Sequence, residues 1–314
     1  MSNTVLKVNE ITIKKMKSHY SNQLIEKIPQ GGVFVAKLPA CTVTAYKSGK
    51  VLFQGGDAQS EADKWGTSME NAAPKKAVGG AKKPTHQFAP PVGIGSMSII
   101  GSDEVGTGDY FGPMTVVAAF ASEENLALLQ ELGVKDSKDL TDKQICEIAK
   151  SILHVIPYSL LILHNEKYNR LQSSGMTQGK IKALLHNQAL GHVLKKIAPL
   201  APDGILIDQF AEPDVYYRHL RGQGEIIRDN VYFSTKAEGV HLSVAAASII
   251  ARYSFIKEFD KLSEKCGIEL KKGAGPQVDR VAAELIRKLG FEELGQYTKL
   301  HFANTGKARR IAGV

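Results

Sequence analysis

Two hydrophobic rhythms run along this chain, one of period two and one near 3.6, and they fall into two blocks separated by a stretch that has neither. In the first block Val5 to Val8 alternates as a short strand does. Ile11 to Leu24 then carries apolar residues at helical spacing, with lysines on the opposite face. GVFVAKL (32–38), CTVTAYK (41–47) and VLFQG (51–55) are β-branched and aromatic runs, and Ser48-Gly49 makes a hairpin turn between the last two. Ala58 to Trp65 closes the block as a helix. This order predicts a small α+β module over residues 1–70. Residues 71–95, NAAPKKAVGGAKKPTHQFAPPVGIG, are rich in Pro, Gly, Ala and Lys and show no apolar period, which predicts a flexible linker.

The second block, 96–314, alternates strand and helix patterns. SMSIIGSDE (96–104) is a strand ending in two acids, MTVVAAFA (114–121) a second after a Gly-Pro turn, YSLLILH (158–164) a third, and GILIDQF (204–210) a fourth that again ends near an acid. Residues 141–155 have helical periodicity, with Asp139 or Thr141 as the cap. Lys180 to Ile197 is a long helix stopped by Pro199. Leu242 to Phe259 is an apolar helix whose small residues Ala245, Ala246, Ala247 and Ser248 let it lie close to a sheet. The pattern predicts an α/β fold, a mixed sheet flanked by helices.

Composition adds partners and compartment. Hydrophobic residues make up 43% of the 314, which supplies a packed core and excludes wholesale disorder. The net charge of +8 points towards phosphate-bearing partners. Residues 1–50 hold eight lysines against two acids and no arginine, so the small module carries much of that excess. One face of its sheet is expected to pack on helices and the other to be free. Tyr46, Phe34 and Phe53 read equally as aromatics laid against nucleic acid on that free face or as core. Cys41, Cys146 and Cys266 form no paired framework and no zinc spacing, as expected of buried thiols in a reducing cytosol. No stretch approaches the ~18 apolar residues of a membrane span, so a cytoplasmic protein is expected.

Candidate chemistry centres on GSDEVGTGDYFGP (101–113). Asp103 and Glu104 end an apolar strand, and on a regular strand they would point to opposite faces. Glycines 101, 106, 108 and 112 are expected to bend the chain and let a ligand's backbone approach. A dinucleotide loop is disfavoured, because Gly112 falls one residue late and a strand follows instead of a helix. Asp208 ends the fourth strand, and Glu238 precedes the apolar helix; taken singly, each reads as an ordinary edge or helix-dipole acid. Together the four carboxylates suit two divalent ions about 4 Å apart, a constellation for phosphodiester hydrolysis. Histidines 164, 186, 192, 241 and 301 lack ligand spacing and read as core or surface residues.

DEVGTGDYFGP (103–113), DSKDL (136–140), ILIDQF (205–210) and the stretch from Glu238 to Tyr253 resemble type 2 ribonucleases H, over essentially all of 96–314. Ribonuclease HII enzymes carry a basic residue between the two loop glycines and Asp as the fourth acid. Thr107 and Glu238 match the ribonuclease HIII subfamily instead, as does the N-terminal extension, which is similar to half of a TATA-binding protein. The resemblance implies a ribonuclease H-like catalytic domain and a substrate-binding N-terminal module. It makes Asp103, Glu104, Asp208 and Glu238 the catalytic ligands of two Mg²⁺ or Mn²⁺ ions. It sets Gly106, Thr107 and Gly108 against the scissile strand, and Ser137 and Lys138 near substrate phosphates. The implied activity is a monomeric endonuclease that cuts the RNA strand of RNA–DNA hybrids, leaving 5′-phosphate and 3′-hydroxyl ends and preferring runs of ribonucleotides. The alternatives are a cutter at single embedded ribonucleotides, in the manner of ribonuclease HII, and a non-catalytic nucleic-acid-binding protein.

Overall fold

The computed structural model describes residues 2–29, 31–66 and 87–314. The first part builds a four-stranded antiparallel sheet in the order β1-β4-β3-β2, from β1 (Ser2–Lys7), β2 (Gly32–Lys37), β3 (Cys41–Tyr46) and β4 (Lys50–Gly55). Helices α1 (Glu10–His19) and α2 (Ala58–Asp63) cover one face. Asn9 caps α1 by accepting from the Thr12 amide, which fixes where the helical period begins.

Strand alternation decides the fate of the three aromatics. Phe34 pairs with Ala45 and Val43 with Phe53, so Phe34 and Phe53 point into the helix-covered core, fully enclosed with Ile13, Met16 and Tyr20. Tyr46 points the other way, yet it is also buried: with Leu52 it joins the cluster that includes Leu128 and Leu129 of α3 (Glu123–Glu131). Lys50, on the same face, is 5% exposed and donates to Asn125 Oδ1 at 2.5 Å. The face expected to be free for nucleic acid is therefore covered in this structure, and all three aromatics are core.

Of the stretch expected as linker, residues 71–86 lie outside the described residues, whereas 87–95 are packed. The Phe88 carbonyl accepts from the Phe233 amide, its ring lies 5.6 Å from Tyr217, and Ile94 is buried.

The large sheet has the order β7-β6-β5-β8-β9. β5 (Ile99–Val105), β6 (Met114–Ala121) and β7 (Tyr158–Leu163) run antiparallel, while β8 (Gly204–Asp208) and β9 (Val231–Ser234) are parallel to β5. α4 (Asp142–Ile152) starts at Thr141, which forms a capping box with Gln144; Asp139 is not the cap. The elements α5 (Asn165–Ser173), α6 (Gln178–Ile197), α7 (Pro213–His219), α8 (Leu242–Cys266), α9 (Pro276–Leu289) and α10 (Ala303–Ala312) complete the chain. α8 lies on the face shown by Val117 and Ala119, and α6 on the face shown by Ala118 and Phe120.

The approach of α8 is close enough that a Cβ on Gly101 would stand 2.3 Å from the Val244 nitrogen. Gly101 is thus a packing glycine. It brings the start of α8, with Glu238 just before it, against the strand that carries Asp103 and Glu104.

Candidate active site

Asp103 and Glu104 sit in unbroken ladder register with Val117 and Val116, so they project to opposite faces as alternation requires. Asp103 faces α8 and is 5% exposed, its Oδ1 accepting from the Glu104 amide at 2.7 Å. Among the described residues it has no cationic partner in contact. Burial, followed by the charges of Glu104, Asp208 and Glu238, raises its carboxyl well above the usual carboxylate range, and the Ser248 hydroxyl offsets this only in part.

Glu104 faces α6. Lys182 Nζ stands 2.6 Å from Oε1 and His186 Nε2 2.9 Å from Oε2. Burial opposes its charge, but the hydrogen bonds and electrostatics of His186 and Lys182 outweigh burial and hold the carboxyl below its ordinary value. His186 is completely enclosed, and its Nδ1 lies 2.6 Å from the Ser102 hydroxyl.

Asp208 ends β8, where the ladder to β9 runs out at Ser234. Its Oδ1 accepts from the Ala237 amide at 2.8 Å. Burial, then the charges of Glu104 and Glu238, raise its carboxyl. Between β9 and Glu238 the chain turns at Lys236, which holds a left-handed φ of 57°. Glu238 is 6% exposed. Its Oε2 accepts from both the amide and the hydroxyl of Ser137 at 2.9 Å, and Oε1 from Lys138 Nζ at 2.8 Å. Burial works against its charge, and the Lys138 and Ser137 hydrogen bonds outweigh it, lowering the carboxyl.

The four acids are thus one electrostatic group with an unequal charge balance. Lysines contact Glu104 and Glu238, whereas among the described residues Asp103 and Asp208 form no ion pair and Lys138 acts on Asp208 only at a distance. Among the described residues no three Asp, Glu, His or Cys side chains converge as a closed set of metal ligands. The donor chemistry nonetheless fits a hard divalent cation. Every donor is a carboxylate oxygen, and the buried Asp103 and half-buried Asp208 form no ion pair among the described residues.

The remaining expected residues separate. Ser137 and Lys138 are bound to Glu238. Gly106 has φ 92°, and a Cβ there would stand 2.2 Å from the Pro113 carbonyl oxygen and 2.9 Å from the Phe255 ring; Gly112 likewise has φ 83° and backs onto Phe255 and Phe259. These two glycines answer to backbone shape and packing. Only Gly108, exposed and with nothing within 4 Å, leaves room for a ligand's approach. The Thr107 carbonyl accepts from Gln178 Nε2 at 3.0 Å.

Three residues that hold the acids or the glycine loop were not singled out by sequence reasoning: Lys182, His186 and Lys299. The first two are four apart on α6, and that polar pair facing a sheet was the available signal. Lys299 is fully buried. Its Nζ donates to the carbonyls of Asp109 at 2.8 Å and Gly112 at 2.6 Å, while its amide donates to Tyr110, so it pins the glycine loop.

Comparison with known proteins gives the family. Residues 100–305 match the family model described as ribonuclease HII, and residues 3–77 match a domain of unknown function. The chain is 60% identical over 312 residues to the ribonuclease HIII of Bacillus mycoides and 59% over 314 to that of Bacillus cereus, covering 99% of both proteins in each case. Among solved structures it is similar to Bst-RNase HIII in complex with Mn²⁺, with a TM-score of 0.70 and 47% identity over 99% of each chain. Aquifex aeolicus RNase H3, at 20% identity and a TM-score of 0.54 over 95% of this chain, shares the fold.

Proposed function

The chain belongs to the ribonuclease HIII family of type 2 ribonucleases H, and on that premise we propose that it hydrolyses the RNA strand of RNA–DNA hybrids at the carboxylate group of Asp103, Glu104, Asp208 and Glu238. The observation that carries the assignment is the placement of Asp103, buried and in no ion pair among the described residues, beside the half-buried Asp208, at the ends of the neighbouring strands β5 and β8. Bound Mg²⁺ or Mn²⁺ supplies Lewis-acid neutralisation of a phosphodiester and a nucleophilic hydroxide at neutral pH.

The chain's own residues do the rest. Asp103 and Asp208 hold negative charge that a cation relieves. Ser137 fixes the Glu238 carboxylate from two sides, and His186 fixes that of Glu104. Lys299 holds the backbone of 109–112, and with it the loop whose Gly108 is open to a strand. A hybrid differs from DNA by its 2′-hydroxyls and groove shape, which backbone donors of such a loop recognise without reading bases. Thr107, in place of a basic residue, supports a preference for runs of ribonucleotides over single ones. The lysine-rich segment 1–70 adds sequence-independent affinity through its exposed lysines, since its helix-free sheet face is covered by α3. No helix of the described residues is long and apolar enough to cross a membrane, and a monomer in the cytoplasm is the working assignment.

Two labelled duplexes, one with a continuous RNA strand against DNA and one with a single ribonucleotide in DNA, test this with Mg²⁺ and with Mn²⁺. Cutting of the first alone is expected, with 5′-phosphate and 3′-hydroxyl ends. Comparable cutting of both would overturn the reading of Thr107. Cleavage retained by Asp103→Asn would overturn the site.

A further inference from the structure

Glu104 is gripped by two donors of opposite character. Lys182 reaches its Oε1 on a flexible four-carbon stem, its side chain 13% exposed, with the ammonium 4.0 Å above the centroid of the Phe210 ring. His186 reaches Oε2 from a fully enclosed ring. Its Nδ1 lies 2.6 Å from the Ser102 hydroxyl, which donates to it when the ring is neutral and gives its Nε2–H to Glu104, and the ring packs 5.1 Å from Phe210. The first partner is an ammonium at the end of an unbranched stem. The second is anchored to the β5–β6 ladder through a side chain that is itself buried.

A carboxylate oxygen has a second lone pair, so neither partner blocks a metal by occupying the atom. What separates the two is charge. An ammonium in hydrogen-bond contact with a ligand oxygen repels an incoming dication strongly in this buried setting. An imidazole held by its far nitrogen orients the ligand, as outer partners of metal sites do.

We propose that Lys182 is an internal counter-cation that competes with the divalent ion for Glu104 and leaves on loading, whereas His186, locked by Ser102, stays and positions the carboxylate. The inference rests on Glu104 being a metal ligand. It makes Lys182 a brake on metal affinity and the Ser102–His186 pair a positioning device, so their removal acts in opposite directions.

The test is Mn²⁺ binding by the full, metal-free chain without substrate, followed by the electron paramagnetic resonance signal of the free aqueous ion. Lys182→Met is expected to tighten the apparent Kd several-fold. His186→Leu is expected to weaken it by about 10–100-fold, the usual effect of losing an outer partner, and His186→Gln, which keeps a donor, to recover part of the loss. Should His186→Leu fail to fold by circular dichroism, Ser102→Ala releases the same anchor without emptying the space and is expected to weaken binding in the same sense. Weakened or unchanged affinity in Lys182→Met overturns the brake. Unchanged affinity in His186→Leu, or in Ser102→Ala where that variant replaces it, overturns the positioning role. Glu104→Gln is the separate control: if it binds Mn²⁺ as the wild type does, the ligand reading itself fails, whatever the other variants show.

Discussion

Replacing Asp103 by Asn removes one charge and almost no volume, and the structure sets two opposite consequences. The Oδ1 that accepts the Glu104 amide at 2.7 Å survives the change, so the strand end keeps its hydrogen bond. What disappears is a buried negative charge, 5% exposed, set among three other acids and without a cation of its own. Each unit by which the fold raises a carboxyl is about 1.4 kcal/mol of destabilisation of the charged form. The variant should therefore be more stable than wild type at neutral pH in chelator, by that amount for each such unit. In thermal unfolding that is roughly 2–4 °C for each kcal/mol in a domain of about 150–250 residues. The sign follows from linkage. The folded carboxyl is raised above its ordinary 3.8, so the native state holds the proton to higher pH and wild-type stability falls as pH rises through that window. The advantage of Asn is accordingly absent near pH 3.8 and present at pH 7. Mn²⁺ reverses the order: a ligand at 100 times its Kd stabilises wild type by about 2.7 kcal/mol, and the variant should gain little. Hybrid cleavage by the variant should be lost. A variant less stable than wild type in chelator at pH 7, or one stabilised by Mn²⁺ as much as wild type, would refute the reasoning.

The remaining predictions concern the scaffold. Gly101→Ala drives a methyl to 2.3 Å from the Val244 nitrogen and 2.4 Å from the Ser243 carbonyl carbon, so α8 must lift; a loss of at least about 2 kcal/mol is expected in urea unfolding, and an unchanged midpoint would contradict the packing. His241 caps α8 with Nδ1 accepting from the Ser243 amide and Nε2 donating to the Met97 carbonyl, and burial pushes it down to about 4 from 6.5. Wild-type stability should then fall between pH 6.5 and 4 with a slope of up to about 1.4 kcal/mol per pH unit from this group, and His241→Asn, a cap that does not titrate, should flatten it; equal slopes would reject the assignment. Burial pushes Lys299 down to about 7 from 10.5, so the unfolded chain binds more protons between these values and wild type should gain on Lys299→Met as pH rises from 7 towards 10. A constant gap between the two would mean that the Asp109 and Gly112 carbonyls keep the ammonium charged.

Some of this was legible before any coordinates. The opposed directions of Asp103 and Glu104 follow from the period of a strand, and nothing in the fold disturbs them. The four-strand module read correctly because its turns and β-branched runs are local signals. Helices α3, α5, α7 and α10 and strand β9 went unassigned, for their apolar periods are short or interrupted by charge; α9 also went unassigned although Val278, Ala282, Leu285, Ile286 and Leu289 give it a clear helical period. The direction in which Phe34, Phe53 and Tyr46 point was not readable either. Alternation says that Phe34 and Tyr46 differ in face, but which face carries helices, and whether the other is covered, is decided by α1, α2 and α3, distant in sequence.

The asymmetry between acids and their counter-cations has the same origin. An acid that ends an apolar strand stands out, because burying it unpaired is costly and the local sequence offers no reason for it. A lysine on a helix stands out nowhere, since solvated lysines are the rule on helix surfaces. Yet Lys182 and Lys138 reach acids 78 and 100 residues away and decide which carboxylates remain charged in excess. The acids are therefore encoded locally, whereas the charge balance that pairs Glu104 and Glu238 with lysines and leaves Asp103 and Asp208 in no ion pair among the described residues exists only once α6 and the Ser137 turn have docked on the sheet. On the proposed site, the charge of the four acids alone therefore overstates the attraction for a cation at Glu104 and Glu238, where an ammonium is already in contact.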